Sequence, residues 1–209
     1  MNSAESLINA LAKDGVDACF AIPGTSEMQL VAALDKQPRI RAVLCLFEGV
    51  VTGAADGYGR MADKPALTLL HLGPGFANGM ANLHNAQRAG SPILTMVGDH
   101  ATDHLQQDAP LTSDIKGMAT PVSRALRVSH SATGLAQTGL DALADNLKNN
   151  GSVSTFVVPA DHALGGHRRA DIARGMGMQA LKVETVAQLD QAFADAMENT
   201  GPCLIEVML

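Results

Sequence analysis

Glu48 stands where the apolar run Leu44-Cys45-Leu46-Phe47 passes into the small-residue stretch Gly49-Val-Val-Thr-Gly-Ala-Ala-Asp-Gly-Tyr-Gly59. A carboxylate flanked by Leu46, Phe47, Val50 and Val51 is expected to be partly desolvated. Desolvation raises a carboxyl pKa, and the protonated form can donate a hydrogen bond to a ring nitrogen. The competing reading is a carboxylate at a helix N-terminus, stabilised by the helix dipole. His71 closes a second apolar run and precedes Gly73-Pro74-Gly75, with Asn78 three residues beyond. This segment reads as a strand breaking into a glycine turn, whose exposed backbone serves function only if a ligand approaches it. It is not a dinucleotide fingerprint, because Asn78 stands where that pattern needs its third glycine. His100 and His104 fall in a polar stretch and read first as solvated loop histidines, while His84 suits a helix face. His130, His162 and His167 carry no signal.

These residues need a scaffold, and the alternation of short apolar runs with helical periodicity supplies one. Ser3 to Asp14 reads as an amphipathic helix stopped by Gly15, and Asp17 to Ile22 as a strand ended by Pro23-Gly24. Ser26-Glu27 opens a helix to about Asp35; Arg41 to Phe47 is strand, Glu48 to Met61 helix, and Ala66 to Leu72 strand. A helix over Phe76 to Ala89 and a strand over Ile93 to Val97 follow. Asp99 to Thr120 reads as a long irregular loop, of a length that is often functional. Strand Ala125–Val128, helix Thr133–Asn146 and strand Val153–Val158 complete the unit.

The pattern predicts an α/β fold: a doubly wound, mainly parallel sheet with helices on both faces. Ligands bind such sheets at the carboxyl ends of strands, where Pro23-Gly24-Thr25, Glu48, His71 to Gly75 and Gly98-Asp99 all fall. The domain spans 1–162, a linker 163–170, and a terminal segment 171–209. That segment reads as a short helical piece to Met176, strand Ala180–Val183, helix Val186–Met197 and strand Cys203–Met208, an αβαβ appendage.

Composition narrows the function classes. The chain has 209 residues, 46% hydrophobic and 17% charged, which describes a packed globular protein with a core of Ala, Val, Leu, Ile and Met. A formal charge of -6, with His167-Arg168-Arg169 as the one basic cluster, argues against nucleic acid. Cys19, Cys45 and Cys203 sit far apart in apolar runs and read as buried free thiols, so no metal site is expected. No signal-peptide pattern opens the chain, and no apolar run approaches the roughly 18 residues that span a membrane. A cytoplasmic protein without membrane partners is the expectation.

Taken together, Pro23-Gly24, Glu48 with Gly57-Tyr58-Gly59-Arg60, Gly73-Pro74-Gly75 with Asn78, Ser91-Pro92, Gly98 and Val157-Val158-Pro159-Ala160-Asp161 resemble the pyrimidine-binding domain of thiamine diphosphate enzymes, the acetolactate synthase and benzoylformate decarboxylase group. The resemblance covers residues 3 to 162 in order. It makes Glu48 the glutamate that hydrogen-bonds N1′ of the aminopyrimidine and thereby promotes formation of the ylid that attacks a 2-oxo acid. It sets Pro23, Gly24, Gly73, Pro74, Gly75 and Asn78 around the cofactor.

Benzoylformate decarboxylase-like enzymes also have a catalytic histidine seven residues before the same Asn, the place of His71. Their Pro-Gly-Ser-x-Glu turn corresponds to Pro23-Gly24-Thr25-Ser26-Glu27, which implies that the Thr25 hydroxyl meets the substrate carboxylate. His71 leans to the decarboxylases and the Gly-Pro-Gly turn to the synthases.

The stretch from Arg174 to Val207 resembles the end of the family's diphosphate-binding domain, but the Gly-Asp-Gly and later Asn that hold magnesium have no counterpart here: Gly98-Asp99 is followed by His100. The resemblance therefore implies thiamine diphosphate as cofactor, with magnesium supplied by a diphosphate domain that this chain lacks. It also implies a homodimer or pairing with a diphosphate-domain chain, weak cofactor binding by the chain alone, and no turnover of a 2-oxo acid. A catalytically silent assembly module, and an unrelated nucleotide-binding α/β protein, are the alternatives.

Overall fold

The computed structural model describes residues 1–148, 151–164, 178–199 and 201–207. It divides into two compact units, Met1–Gly165 and Gly166–Leu209. In the first, six strands alternate with helices: α1 (Ser3–Lys13), β1 (Ala18–Ile22), a 3-10 turn (Thr25–Glu27), α2 (Met28–Asp35), β2 (Arg41–Leu44), α3 (Glu48–Ala62), β3 (Ala66–His71) and α4 (Leu72–Ala89). Then come β4 (Ile93–Asp99), a 3-10 turn (Leu105–Gln107), α5 (Ile115–Ala119), β5 (Ala125–Val128), α6 (Leu135–Leu147), β6 (Val153–Pro159) and α7 (Ala160–Leu164).

All pairings are parallel and the sheet order is β2-β1-β3-β4-β6-β5, the doubly wound α/β fold. Side chains alternate across the sheet, so each strand feeds two cores. Leu67, Leu69, Leu94, Met96 and Phe156 pack with Leu7, Ile8 and Leu11 of α1 and with α2 and α6. Leu70, Ile93, Val97 and Val157 pack with Val51 and Ala55 of α3, Phe76 and Leu83 of α4, and Ile115 of α5.

The chain leaves β1 toward the first face and β3 toward the second. The crevice between their carboxyl ends is therefore the point where the winding reverses, and in open α/β sheets that is where ligands bind. Pro23 to Glu27 forms one lip of it, and His71 to Gly75 the other.

Local chemistry explains the boundaries. Asn2 and Glu5 form a reciprocal capping box at the start of α1, and Gly15, at φ +94°, follows its end. Three expectations shift. Residues 73–75 are not a turn between strand and helix: α4 begins at Leu72, so Gly73, Pro74 and Gly75 form its first turn. Proline costs nothing there, because the first N–H groups of a helix have no intrahelical partner. The reversal falls instead on Leu72, a buried residue at φ +52°.

Next, β2 ends at Leu44, and Leu46 and Phe47 lie outside any strand. Finally, the 99–120 stretch is partly regular, with α5 capped by Asp114, whose carboxylate accepts the Gly117 N–H at 2.8 Å. Thr102 anchors the loop by donating from N and Oγ1 to Asp161 at 3.1 and 2.6 Å.

The second unit pairs β7 (Gln179–Val183) in parallel with β8 (Cys203–Val207), joined through α8 (Val186–Glu198), which Thr185 caps. The expected linker residues from 165 on, the helical piece to Met176 and the basic cluster at 167–169 lie outside the described residues. Cys19 and Cys45 are buried free thiols, while Cys203 is half-buried. Burial pushes the Cys19 thiol up to about 12. No helix among the described residues is long and apolar enough to cross a membrane.

Candidate functional site

Glu48 is the first residue of α3, and its height in the crevice is set by α4. The Thr52 hydroxyl, fully buried, lies 3.1 Å from the Glu48 carbonyl and 3.0 Å from that of Gly79, bridging the two helices. Asn82 Nδ2 donates to the Gly49 carbonyl at 2.7 Å. Gly79 permits this approach, since a Cβ there would lie 2.9 Å from Thr52 Cγ2.

The carboxylate itself is held by Asn78, whose Nδ2 donates to Glu48 Oε2 at 3.1 Å. Asn78 thus braces the glutamate. Oε1 has no hydrogen bond from the described residues and faces Gly75: a Cβ on Gly75 would lie 3.4 Å from it and 3.5 Å from His71 Cβ. Glu48 and His71 therefore flank one glycine.

Four apolar neighbours were expected to desolvate Glu48. Only Val51 is buried; Leu46, Phe47 and Val50 are 89%, 50% and 54% exposed. The reason is position. Leu46 and Phe47 lie between β2 and α3, and Val50 is in the first turn of α3; left exposed, they form an open apolar border next to Glu48 instead of a wall.

A pair that the sequence did not announce joins the two lips. Glu27 is fully buried, and its Oε2 accepts the Gly24 N–H at 2.7 Å and lies 2.8 Å from His71 Nδ1. Its Oε1 is buried without a partner among the described residues. Burial pushes the Glu27 carboxyl above its usual range, opposed by the Gly24 N–H and by His71. Gly24 lies against the His71 ring, and Gly98, the register partner of His71, lies against Glu27 Oε1; a Cβ on either would overlap these groups.

Carboxylates are seldom buried, so composition gave no hint of Glu27. The available signal was its place three residues after Gly24, from which a glutamate can reach back to a free N–H.

The structure thus brings together Gly24, Glu48, His71, Gly75 and Asn78. Gly73 sits in the first turn of α4, where a Cβ would overlap the Ser113 side chain, so the 99–114 loop packs on it. Pro74 and Thr25 are exposed, Pro23 is half-buried, and no described residue pairs with the Thr25 hydroxyl. Asp99 closes β4 with its carboxyl pushed up by burial, while His100 stacks edge-on against His104 at 5.5 Å. No described group of three or more His, Cys, Asp or Glu could hold a metal ion.

A carboxylate with one oxygen free, beside a glycine whose missing side chain leaves room and within an open apolar border, suits a flat heteroaromatic ring bearing a nitrogen. Residues 1–118 match the family described as "Thiamine pyrophosphate enzyme, N-terminal TPP binding domain", and the chain belongs to this family. Its relatives include "Putative acetolactate synthase large subunit IlvX" of Mycobacterium tuberculosis, 48% identical over 203 residues, which are 96% of this chain and 39% of the relative. A chloroplastic acetolactate synthase of Arabidopsis thaliana is 35% identical over 95 residues, 46% of this chain and 14% of that one.

Among solved structures, a thiamine diphosphate-dependent 4-hydroxybenzoylformate decarboxylase of Rhodococcus jostii RHA1 superposes with a TM-score of 0.74 at 22% identity, covering 98% of this chain and 44% of that one. Benzoylformate decarboxylase from Polynucleobacter necessarius gives 0.72 at 18%, covering 98% and 43%. Both share the fold. The chain spans about two fifths of the length of its 48%-identical relative.

Proposed function

We propose that the chain is the pyrimidine-binding part of a thiamine diphosphate-dependent enzyme acting on 2-oxo acids, an acetolactate synthase-like decarboxylase or carboligase of the cytoplasm. The observation that carries this reading is the free Glu48 Oε1 beside Gly75, with Oε2 tethered by Asn78. In this seat Glu48 meets the ring nitrogen of the aminopyrimidine, Asn78 orients the carboxylate, and Gly75 leaves room for the ring. Bound thiamine diphosphate supplies a nucleophilic carbon and an electron sink for the carboxylate lost from a 2-oxo acid.

The chain's own residues hold and move protons around that centre. Glu48 does so at the aminopyrimidine, and His71, at the mouth of the crevice, does so toward substrate. Thr25, exposed on the opposite lip, offers a hydroxyl for the substrate carboxylate.

Diphosphate and magnesium are assigned to a diphosphate-binding domain outside the pyrimidine-binding part, met through a homodimer or a separate chain. The open border of Leu46, Phe47 and Val50 supports this, because a covering surface there would complete the desolvation of Glu48. The pyrimidine-binding domain is expected over 1–162; its last helix, α7, runs on to Leu164, and the first unit ends at Gly165. The same border supports a second reading, a silent assembly module whose only task is to pair with such a partner.

Calorimetric titration of the chain with thiamine diphosphate and magnesium, with Glu48→Gln alongside, separates the two. Binding that Glu48→Gln weakens tenfold or more supports the cofactor seat. Binding unaffected by the substitution removes Glu48 from the seat, and no binding at all favours the silent module.

A further inference from the structure

We propose that Glu27 is a positioning residue that fixes His71 as its Nδ1–H tautomer, leaving Nε2 as the nitrogen that exchanges protons in the crevice, and that Gly24 and Gly98 are glycines because this pair fills their side-chain space. The value of such a nitrogen for the reaction rests on the function proposed above; the pair itself does not.

Hydrogen-bond accounting assigns the proton. Glu27 Oε2 lies 2.7 Å from the Gly24 N–H donor and 2.8 Å from His71 Nδ1. With Oε2 already accepting the Gly24 N–H, an ionised Glu27 can accept a second N–H, from Nδ1, at the same oxygen. A proton placed on Oε1 would have no acceptor, since that atom is buried against Gly98 without a partner. The shared proton therefore belongs on Nδ1, and in neutral imidazole that makes Nε2 the acceptor.

No described residue pairs with His71 Nε2, and the side chain keeps 24% of its surface exposed. The free nitrogen thus belongs to the part of the ring that the fold leaves uncommitted.

The surroundings leave this assignment to Glu27. At the carboxyl end of the sheet, the ionisable groups on the adjoining elements are Asp99 and His100 at the end of β4, Asp161 and His162 on α7, and Glu48 on α3. Asp99 accepts the N–H of His100 at 2.8 Å, Asp161 holds Thr102, and Glu48 is turned to Asn78. His162 Nδ1 lies 3.0 Å from Ser129 Oγ. None of them hydrogen-bonds to the Glu27–His71 pair. The glycines complete the device: an alanine at 24 would displace the imidazole, and one at 98 would displace the carboxylate.

Nitrogen-15 NMR of the imidazoles in the cofactor-free chain tests this. Recorded at a pH where the imidazole is neutral, the expected wild-type spectrum shows His71 with a pyrrole-type Nδ1 and a pyridine-type Nε2. Glu27→Leu, which keeps bulk and removes the acceptor, should shift the population to the Nε2–H form. Glu27→Gln, whose amide oxygen can still accept, should retain Nδ1–H. A residue that merely braced the Gly24 turn would leave the tautomer unmoved in all three.

An Nε2–H tautomer in the wild type, or Nδ1–H persisting in folded Glu27→Leu, overturns the proposal. Should Glu27→Leu fail to fold, the wild-type spectrum alone decides. Gly98→Ala should also release the tautomer, and its retention there overturns the role given to that glycine. Since no cofactor is present, a failed thiamine diphosphate titration leaves this result standing, and a wrong tautomer leaves the Glu48 seat standing.

Discussion

Gly75→Ala separates the cofactor seat from the stability of the fold. Gly75 lies in the first turn of α4 and does not have a positive φ, so alanine fits its backbone. The added methyl would sit 3.4 Å from Glu48 Oε1 and 3.5 Å from His71 Cβ, which is ordinary van der Waals contact. Replacing glycine by alanine in a helix stabilises it by about 0.5–1 kcal/mol, and less is realised in a terminal turn. We expect a gain of about 0.5 kcal/mol, or roughly 1–2 °C in melting temperature for a chain of this size. The same methyl occupies the space beside the free carboxylate oxygen where the ring would lie. Thiamine diphosphate affinity should fall at least tenfold, about 1.4 kcal/mol.

Thermal unfolding followed by circular dichroism gives the first quantity, and chemical-shift titration with cofactor and magnesium gives the second. An intact or stabilised fold with unchanged affinity would refute the placement of the ring beside Gly75. A fold destabilised by more than about 1 kcal/mol would refute the contact argument.

Three further outcomes follow from the same geometry. Thr52→Val keeps shape but removes the hydroxyl bridge between α3 and α4, and should cost about 1–3 kcal/mol in urea unfolding; no loss would mean that the bridge does not hold Glu48 in place. Gly79→Ala places a methyl 2.9 Å from Thr52 Cγ2 and should destabilise by about 1–3 kcal/mol, in contrast to Gly75→Ala.

Glu27 also makes stability depend on pH. Burial holds its folded-state carboxyl above the ordinary value of 4.5, so the folded chain binds more protons above that pH than the unfolded one. Its contribution is fully present below pH 4.5 and is lost as pH rises through the folded value, whereas Asp145, lowered by Arg127 and Lys148, contributes above 3.8 and loses its part as pH falls through its own folded value. Urea unfolding of wild type and Glu27→Gln should therefore show the wild type losing ground as pH rises above 4.5; parallel curves there would count against the buried carboxyl.

Much of the scaffold was legible, because in a sheet covered on both faces the short runs of Leu, Val and Ile can only be strands. β1, β3, β4 and β6 fell where hydrophobicity placed them, whereas the reversal of winding between β1 and β3 comes from the strand order that the structure gives. What sequence obscured was local and has physical reasons. Gly73-Pro74-Gly75 carries turn-forming residues, yet a helix tolerates them in its first turn, where proline forfeits no bond. Leu46 and Phe47 have strand-like character, but their hydrophobicity serves an exposed rim rather than the core.

Of the candidate site, Glu48 was marked by its apolar neighbours and His71, Gly75 and Asn78 by the resemblance, and the structure groups the four. Glu27 was not, because its partner lies 44 residues away in sequence and only the pairing of β1 with β3 brings them together.

The central claim is that Glu48, Gly75 and Asn78 form the seat of the aminopyrimidine. Its most direct test is an amide NMR titration of the labelled chain with thiamine diphosphate and magnesium, beside Glu48→Gln. The account predicts shifts concentrated at Glu48, Gly75 and Asn78, extending to His71, and largely abolished by the substitution. Shifts located elsewhere, or identical in the two proteins, would contradict it.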